Sequence, residues 1–461
     1  MRNERRSDAP LPSGQGGTPH GGATGAVLAA PAYGNYFVAA YPPFTQWTAE
    51  AAEPFRRRLS LPADGPEAPP LGLYVHVPFC AERCRYCYYL SYDGLGSGHL
   101  ERYVDCLTAE LRQYASSAAI EGRDLDFVYF GGGTPSLISE SVLARLFGGL
   151  QEALPWHATR EVTFECAPRS VTRSKLERLR EAGVTRLSLG VQQLDDAVLA
   201  RSGRVHSVRD VLTACEEIQR AGFEVFNLDL MVGMVGETRT SLLEGLEGAL
   251  ELEPDSFTIY QMEIPRNTPL YRDLASGAQP ADELADWEEK HDRLALAFER
   301  LAAAGYEPIS AYAMVRDRTR HDFLYQREQY RGADLLAIGA SAFGYLGGMH
   351  YQNEARMDRY VERLEADELP VSRAHRLSDD ERLRREFVLQ LKLGAVERSY
   401  FRRKFGEDVV ERYRSALEPL ADAGWLAWDD ARLALTPEGM VRVDHLIPTL
   451  YPAEYRSVPY A

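Results

Sequence analysis

Three cysteines stand within eight residues, Cys80, Cys84 and Cys87 in the run CAERCRYC, at the spacing C-x3-C-x2-C. Thiolates crowded in this way suit iron–sulfur chemistry, in which a cubane cluster ordinarily takes four protein sulfurs, one on each iron. Three sulfurs leave one iron without a protein ligand, and an open coordination position is what a catalytic metal needs. A structural zinc site would ask for a fourth Cys or His at similar spacing, and none follows closely. His76 lies upstream on what reads as a strand, and alternation turns it away from the loop. The other cysteines, Cys106, Cys166 and Cys215, are scattered singly and read as buried apolar thiols, so the count of six is metal-ligand arithmetic and not a disulfide framework. Further along, FGGGTPS (130–136) supplies Gly132, Gly133 and Thr134, where backbone without side chains can approach a ligand closely.

These residues need elements to position them. LGLYVHV (71–77), immediately before the cysteine loop, is a short apolar, β-branched run that predicts a buried strand. DFVYF (126–130), EVTFE (161–165), RLSLGV (186–191), FNLDLMV (226–232) and SFTIYQ (256–261) repeat its character, with amphipathic helical stretches between them. Gly183 and Gly222 close two of those helices as left-handed caps. Strand then helix, repeated about six times, implies a parallel sheet with right-handed crossovers. Six units fall short of a closed eight-unit barrel, so an open partial barrel is expected, with functional residues at strand C-terminal ends.

Residues 1–30 hold too little apolar side chain to offset ordering entropy and are expected to be disordered. Residues 31–70 read as an aromatic arm, GNYFVAAYPPFTQW, followed by a linker, and 71–375 as the core with an extension. From 376 to 461 the pattern changes to two helices and a short two-stranded wing, a small winged-helix-like helical module. Lys and Arg total 52 against 68 for Asp and Glu, and the net charge of −16 argues against a nucleic-acid partner. The module is itself mixed in charge and is expected to act as a lid or substrate-side wall. No apolar run approaches the roughly 20 residues that span a bilayer, and the start lacks the apolar core of a secretory signal, so no membrane association and a cytoplasmic location are expected.

YVHVPFCAERCRYC, FGGGTPSLIS, RLSLGVQQLDDAVLARSGRVHS and NLDLMVGMVGET together resemble the family of oxygen-independent coproporphyrinogen III oxidase, over roughly residues 33 to 450. The resemblance implies an α/β fold, a partial (β/α)6 radical S-adenosylmethionine (SAM) barrel. It also implies a [4Fe–4S] cluster on Cys80, Cys84 and Cys87, with SAM on the open iron. An external electron donor such as flavodoxin or ferredoxin is implied as well, and two SAM molecules in the site. By position, Tyr74, Gly132, Glu165 and Phe343 would touch the first SAM. Tyr86, Gly133, Thr134, Gln192, Arg204, Asp229 and Met262 would touch the second. Arg204 has two further readings, as a helix cap or as a partner of Asp195.

Against the porphyrinogen oxidases, this chain carries Tyr88-Tyr89 where the family has Gly-Cys. Against the haem-chaperone branch, Asp322 stands for Asn and Tyr330 for Trp in HDFLYQREQYRGAD (321–334). CYYLSY (87–92) and GASAFGYLGGMHYQN (339–353) look most like the cobalamin-independent methylases and cyclopropanases. That branch implies a radical SAM methylase or cyclopropanase, with the second SAM donating a methylene group to an sp² carbon of a small unsaturated natural-product acceptor. Tyr41, Tyr88, Tyr89 and Tyr92 would wall the acceptor site, with core packing the competing reading for these rings. The alternatives are an oxidative decarboxylase acting on a porphyrinogen and a haem-carrying chaperone.

Overall fold

A computed structural model describes residues 37–456 apart from 39, 64–67 and 94–96. The expected N-terminal tail, 1–30, lies outside the described residues. Six parallel strands follow one another along one sheet: β1 (Leu71–Val77), β2 (Leu125–Gly132), β3 (Glu161–Cys166), β4 (Arg186–Gln192), β5 (Val225–Val232) and β6 (Ser256–Gln261). Each is nearly continuous in apolar residues, as strands covered on both faces must be. β1 is buried at every position but Tyr74. The crossover helices carry their apolar residues at helical spacing and lay them on the sheet. In Val208–Ala221 these are Val211, Ala214, Cys215 and Ile218, and the helix ends on Gly222 at φ 68°. Gly183 also adopts a left-handed φ, 89°.

The sheet is wider than six strands. After short antiparallel strands β7 (Glu307–Pro308) and β8 (Ala313–Val315) on the β6 edge, the chain crosses to the opposite edge. There β9 (Asp334–Ile338) pairs parallel to β1. Antiparallel β10 (Phe343–Leu346), β11 (Met349–Asn353) and β12 (Val371–Arg376) extend that edge. The segment GASAFGYLGGMHYQN is thus the turn and hairpin that follow β9. The result is the partial radical SAM-type barrel expected, opened and widened at both edges.

One buried carboxylate holds the widened edge to the barrel. Glu110, on the helix Ser97–Ala115, is fully buried. It accepts from Gly339 N at 2.9 Å, Tyr360 Oη at 2.6 Å and Asn353 Nδ2 at 2.6 Å. Those groups belong to the end of β9, the end of β11 and the helix Met357–Glu365. Arg186 plays the matching part at the barrel floor. It is 3% exposed and is surrounded by Glu161, Ser256 and the carbonyls of His321 and Asp322.

Beyond Arg376 the chain forms the helices Asp379–Leu391, Arg398–Phe405 and Val409–Asp422 and a three-stranded antiparallel sheet. Its order is β13 (Ala395–Glu397), β15 (Arg432–Leu435), β14 (Leu426–Trp428). This is the expected helical module, with a third strand added to the two-stranded wing. Its apolar core is continuous with Val38 and Tyr41 of the arm and with Ala311, Tyr312 and Tyr330 of the barrel.

Burial raises the Glu110 carboxyl to about 8. A carboxyl that titrates higher in the folded than in the unfolded chain contributes stability that is complete below about pH 4.5. That contribution is lost as pH rises toward 8, by up to about 1.4 kcal/mol per pH unit. Thermal unfolding of metal-free protein should therefore show Tm falling from pH 5 to pH 8. Glu110→Gln should start lower, because its single acceptor oxygen cannot serve both sides and its NH2 is turned on a former donor, at a cost of about 1–3 kcal/mol. It should also lack that slope. Parallel slopes in the two proteins would show that Glu110 does not carry the titration.

Candidate functional site

β1 ends at Val77 and the chain leaves the sheet straight into the cysteine loop. The loop has almost no regular structure, so neighbouring strands and turns hold it. Tyr92 N donates to Pro78 O at 2.7 Å and Cys80 N to Tyr92 O at 3.1 Å. The turn after β2 zips along the other side, with Gly133 N on Val77 O at 2.8 Å and Thr134 N on Phe79 O at 2.7 Å. This contact explains the glycines. A Cβ on Gly133 would lie 2.6 Å from Phe79 O, and one on Gly132, at φ 113°, would lie 2.5 Å from the His76 ring. The close approach they permit includes the chain's own backbone as well as any ligand.

Donors reach the sulfurs from outside the loop. Thr134 Oγ1 approaches Cys80 Sγ at 3.8 Å. Arg204 donates to Cys84 Sγ at 3.3 Å and to Gly190 O at 2.8 Å. Asp195 caps the helix Asp196–Arg201 with its side chain, while the Arg204 guanidinium goes to Cys84 and Gly190 and its backbone N–H closes Leu199 O of that helix at 2.9 Å. Burial and the neighbouring Cys84 push the Cys87 thiol to about 11, and burial raises Cys80 as well. Cys80 and Cys87 so placed ionise readily only against a cationic core. Among the described residues no three Cys, His, Asp or Glu side chains converge on a single metal position. A cubane cluster binds each cysteine at a different iron, so sulfurs that share a cavity without converging fit it and do not fit zinc. His76 does not join them. It is 5% exposed, with Nδ1 2.9 Å from Tyr74 Oη, and burial lowers its pKa to about 4.

All three cysteines open onto one cavity of about 820 Å³, at the upper end of ligand-pocket sizes. Tyr74, Tyr86, Tyr88, Tyr89, Gly132, Gly133, Thr134, Glu165, Gln192, Arg204, Asp229 and Phe343 all line it. Tyr41 and Met262 do not. The Tyr41 ring is fully buried, packed 4.8 Å from Tyr451 in the core shared with the C-terminal module. Met262 is fully buried in a separate apolar cluster with Met234, Val235 and Ile264. Tyr92 is also outside, its hydroxyl bonded to Ala355 O and Met357 N.

Residues not singled out in the sequence complete the wall: Tyr129, Tyr260, Glu263, Tyr312, Phe323, Tyr325, Asp444 and His445. Tyr129 and Tyr260 share the inner face of apolar strands, where alternation could have flagged them. Asp444 and His445 come from the C-terminal module, and periodicity carries no signal of that docking. The rings make flat surfaces. Tyr88 and Tyr89 stack at 4.6 Å, and Tyr129 and Tyr325 at 4.4 Å. The far end is closed by the arm. Phe37 N donates to Glu263 at 2.7 Å, Val38 N to Asp444 at 3.0 Å, and Lys392 Nζ to both Asp444 and Val38 O at 2.8 Å.

Two acids on apolar strands, Glu165 near the end of β3 and Asp229 within β5, face into this wall. Glu165 accepts from Tyr129 Oη at 2.6 Å and Gly132 N at 3.3 Å, and burial lifts it to about 7. Asp229 accepts from Ser188 Oγ at 2.9 Å and Asn227 Nδ2 at 2.8 Å, and burial lifts it to about 6. Gln192 holds a left-handed φ of 68°, and its Oε1 is buried with no partner. Strain of that kind persists where surroundings over-determine it, commonly at ligand sites. If these groups meet the cationic part of SAM, affinity should rise from pH 5.5 to 7.5 as the carboxyls ionise, then level off. Glu165→Gln should flatten that rise and weaken binding about tenfold or more, the loss of one charge-assisted contact. Calorimetric titration measures both, and tighter binding on acidification would remove Glu165 from the ligand site.

Comparison with known proteins fits this geometry. Residues 74–247 match the model of the radical SAM superfamily, and residues 377–442 match the HemN C-terminal domain. The heme chaperone HemW of Bacillus subtilis is 31% identical over 373 residues, covering 79% of this chain and 95% of its own. The oxygen-independent coproporphyrinogen III oxidase of Bradyrhizobium diazoefficiens is 29% identical, covering 79% and 82%. The solved coproporphyrinogen III oxidase (HemN) of Escherichia coli, a radical SAM enzyme, superposes with a TM-score of 0.77 at 23% identity, covering 90% of this chain and 96% of its own, a likeness of fold. These relatives overturn the expected methylase or cyclopropanase activity, and the role of a second SAM as methylene donor falls with it. The chain belongs to the radical SAM family that contains the heme chaperone HemW and the oxygen-independent coproporphyrinogen III oxidases.

Proposed function

We propose that this chain is a radical SAM enzyme that oxidises a tetrapyrrole in the manner of an oxygen-independent coproporphyrinogen III oxidase. The observation that supports it best is continuity. The three cysteines and the tyrosine-walled cavity form one enclosure, so a ligand lying against Tyr88 and Tyr89 is beside the cluster loop. A pure carrier has no use for that adjacency. When bound, the [4Fe–4S] cluster and SAM supply one electron and a carbon–sulfur bond whose cleavage yields a hydrogen-abstracting carbon radical.

The chain's own residues do the rest. Cys80, Cys84 and Cys87 hold the cluster, while Arg204 and Thr134 direct positive dipole toward the sulfurs. Glu165, Asp229 and Gln192 offer acceptors to the ribose and ammonium of SAM. Cations at the cluster end of the cavity, Arg83, Arg169, Lys175 and Arg204, are placed for carboxylates, whether of SAM or of a propionate side chain. The stacked tyrosines hold a flat substrate and exclude water. The oxidation converts a propionate to a vinyl group and carbon dioxide. It would give up one hydrogen atom, to the carbon radical that bound SAM would supply, and one further electron, to an external acceptor.

The haem-carrier reading draws on the similarity to several heme chaperones. In the segment 321–334 Asp322 and Tyr330 stand where the haem-chaperone branch has Asn and Trp. His321 is 6% exposed, with its ring 3.6 Å from Asp255 at the barrel floor, and Asp322 pairs with Arg327. Neither lines the cavity, although Tyr330 does.

Anaerobic reconstitution should give about four iron per chain and, with dithionite, release 5′-deoxyadenosine from SAM. Cys80→Ala, Cys84→Ala or Cys87→Ala should each abolish both. Haem titration should give no stoichiometric Soret band. Tight one-to-one haem binding without SAM cleavage would replace this proposal with haem carriage.

A further inference from the structure

Gln192 holds its left-handed φ without being a glycine, so its surroundings must impose that conformation. The backbone there is irregular. Gly190 pairs with Asp229 and Gln192 with Leu230, so one extra residue, Val191, is fitted into β4 as a bulge. Bulges beside a site commonly re-aim a side chain. Here the bulge and the turn bring both Gly190 and Gln192 onto the cavity wall. Val191 O accepts from Gln193 N at 2.9 Å and lies 3.0 Å from His206 Nε2, which tightens the turn.

The next side chain is the anchor. Gln193 Oε1 accepts from Leu194 N at 2.7 Å, and Gln193 Nε2 donates to Glu237 Oε2 at 3.0 Å. The other oxygen of Glu237 accepts from Gly233 N at 2.9 Å and from Arg293 at 3.2 Å. Gln193 and Glu237 are buried, and neither lines the cavity. Gly245, on the helix Arg239–Glu251, leaves room for the amide, since a Cβ there would lie 2.3 Å from Gln193 Oε1. Turning that amide over would set its oxygen against the Glu237 carboxylate and its nitrogen against Leu194 N, so one orientation is fixed. The outer helix Trp287–Ala303 is thus tied through Arg293, Glu237 and Gln193 to the residue beside Gln192.

We propose that Gln193 and Glu237 are positioning residues that hold Gln192 in its left-handed turn and so keep its amide on the ligand wall. They act through Gln192 alone. The inference rests on SAM lying against Gln192, with the buried, unpartnered Oε1 of that residue as its contact.

The test uses the polarity of the Gln193–Glu237 bond. Gln193→Glu sets carboxylate against carboxylate, and Glu237→Gln turns an NH2 on a former donor, Gly233 N or Gln193 Nε2. The double exchange, Gln193→Glu with Glu237→Gln, reverses donor and acceptor and restores the bond. SAM affinity of the reconstituted holoenzyme is measured anaerobically by calorimetry. Each single exchange should raise Kd about tenfold or more, and the double exchange should return it to within about threefold of wild type. In a Gln192→Ala background, Gln193→Glu should add less than about twofold, because its effect passes through the missing side chain. A crystal structure of the metal-free Gln193→Glu variant should show φ at Gln192 moved to negative values, a readout that needs no ligand. Gln193→Leu, which removes the bond without adding charge, takes its place in both measurements if Gln193→Glu does not fold. Single exchanges that bind SAM as the wild type does, full additivity with Gln192→Ala, no recovery in the double exchange, or an unchanged φ would each overturn the positioning role. If the wild type binds no SAM, the ligand assignment of Gln192 fails instead, and φ in the variant still decides whether Gln193 holds the turn.

Discussion

The cysteine loop places three sulfurs on eight residues that form neither helix nor strand, and its own hydrogen bonds are too few to fix them. Everything else in the site depends on the grip supplied from outside: the turn after β2 running along Val77 and Phe79, Tyr92 folding back, and Arg204 reaching Cys84. These contacts join β1, β2 and β4 at their C-terminal ends, where a parallel sheet gathers its loops. The glycines at 132 and 133 permit that contact, since a Cβ at 133 would strike the Phe79 backbone and one at 132 the His76 ring. Loss of the grip would leave the cysteines in the chain but not in one place.

Charge divides the cavity along its length. The lining cations, Arg83, Arg169, Lys175 and Arg204, belong with Glu82 to the end beside the cysteines, while the opposite end presents Glu263 and Asp444, the latter paired with Lys392. Between them Glu165 and Asp229 are held near neutrality by burial, so the middle of the cavity is hydrogen-bonding but only weakly charged near pH 6. A ligand with one anionic and one polar or apolar end is therefore oriented before any chemistry. The aromatic walls add shape without adding charge.

Much of this was legible in the sequence, and what escaped it has physical causes. The strands of a parallel sheet are apolar on both faces, so β1 to β6 stand out as runs, and motif residues that follow such runs necessarily meet at one end of the barrel. Glu165 and Asp229 could be flagged because a carboxylate on an apolar strand is costly unless used. β9 has the same apolar character, but it arrives after a long excursion and joins the opposite edge, a choice made by tertiary pairing and not by local pattern. Tyr41 sits in an aromatic arm that reaches the site only through its neighbours Phe37 and Val38, so proximity in sequence misassigned it. Met262 follows a strand whose alternate residues face the cavity, and the chain turns its side chain into a separate apolar cluster. The motif likeness to methylases came from segments that build a loop wall and a β-hairpin, features of scaffold more than of reaction.

The closure at the far end joins residues 406 positions apart, Val38 and Asp444. During synthesis the barrel strands emerge long before Asp444 exists, and domains tend to fold as they appear. The arm therefore waits, unseated, while the barrel assembles around the cysteine loop. Only when the last module docks do Lys392 and Asp444 seize the backbone at Val38 and seal the vessel. Closure of the far end therefore depends on residues that are made after every strand of the barrel sheet.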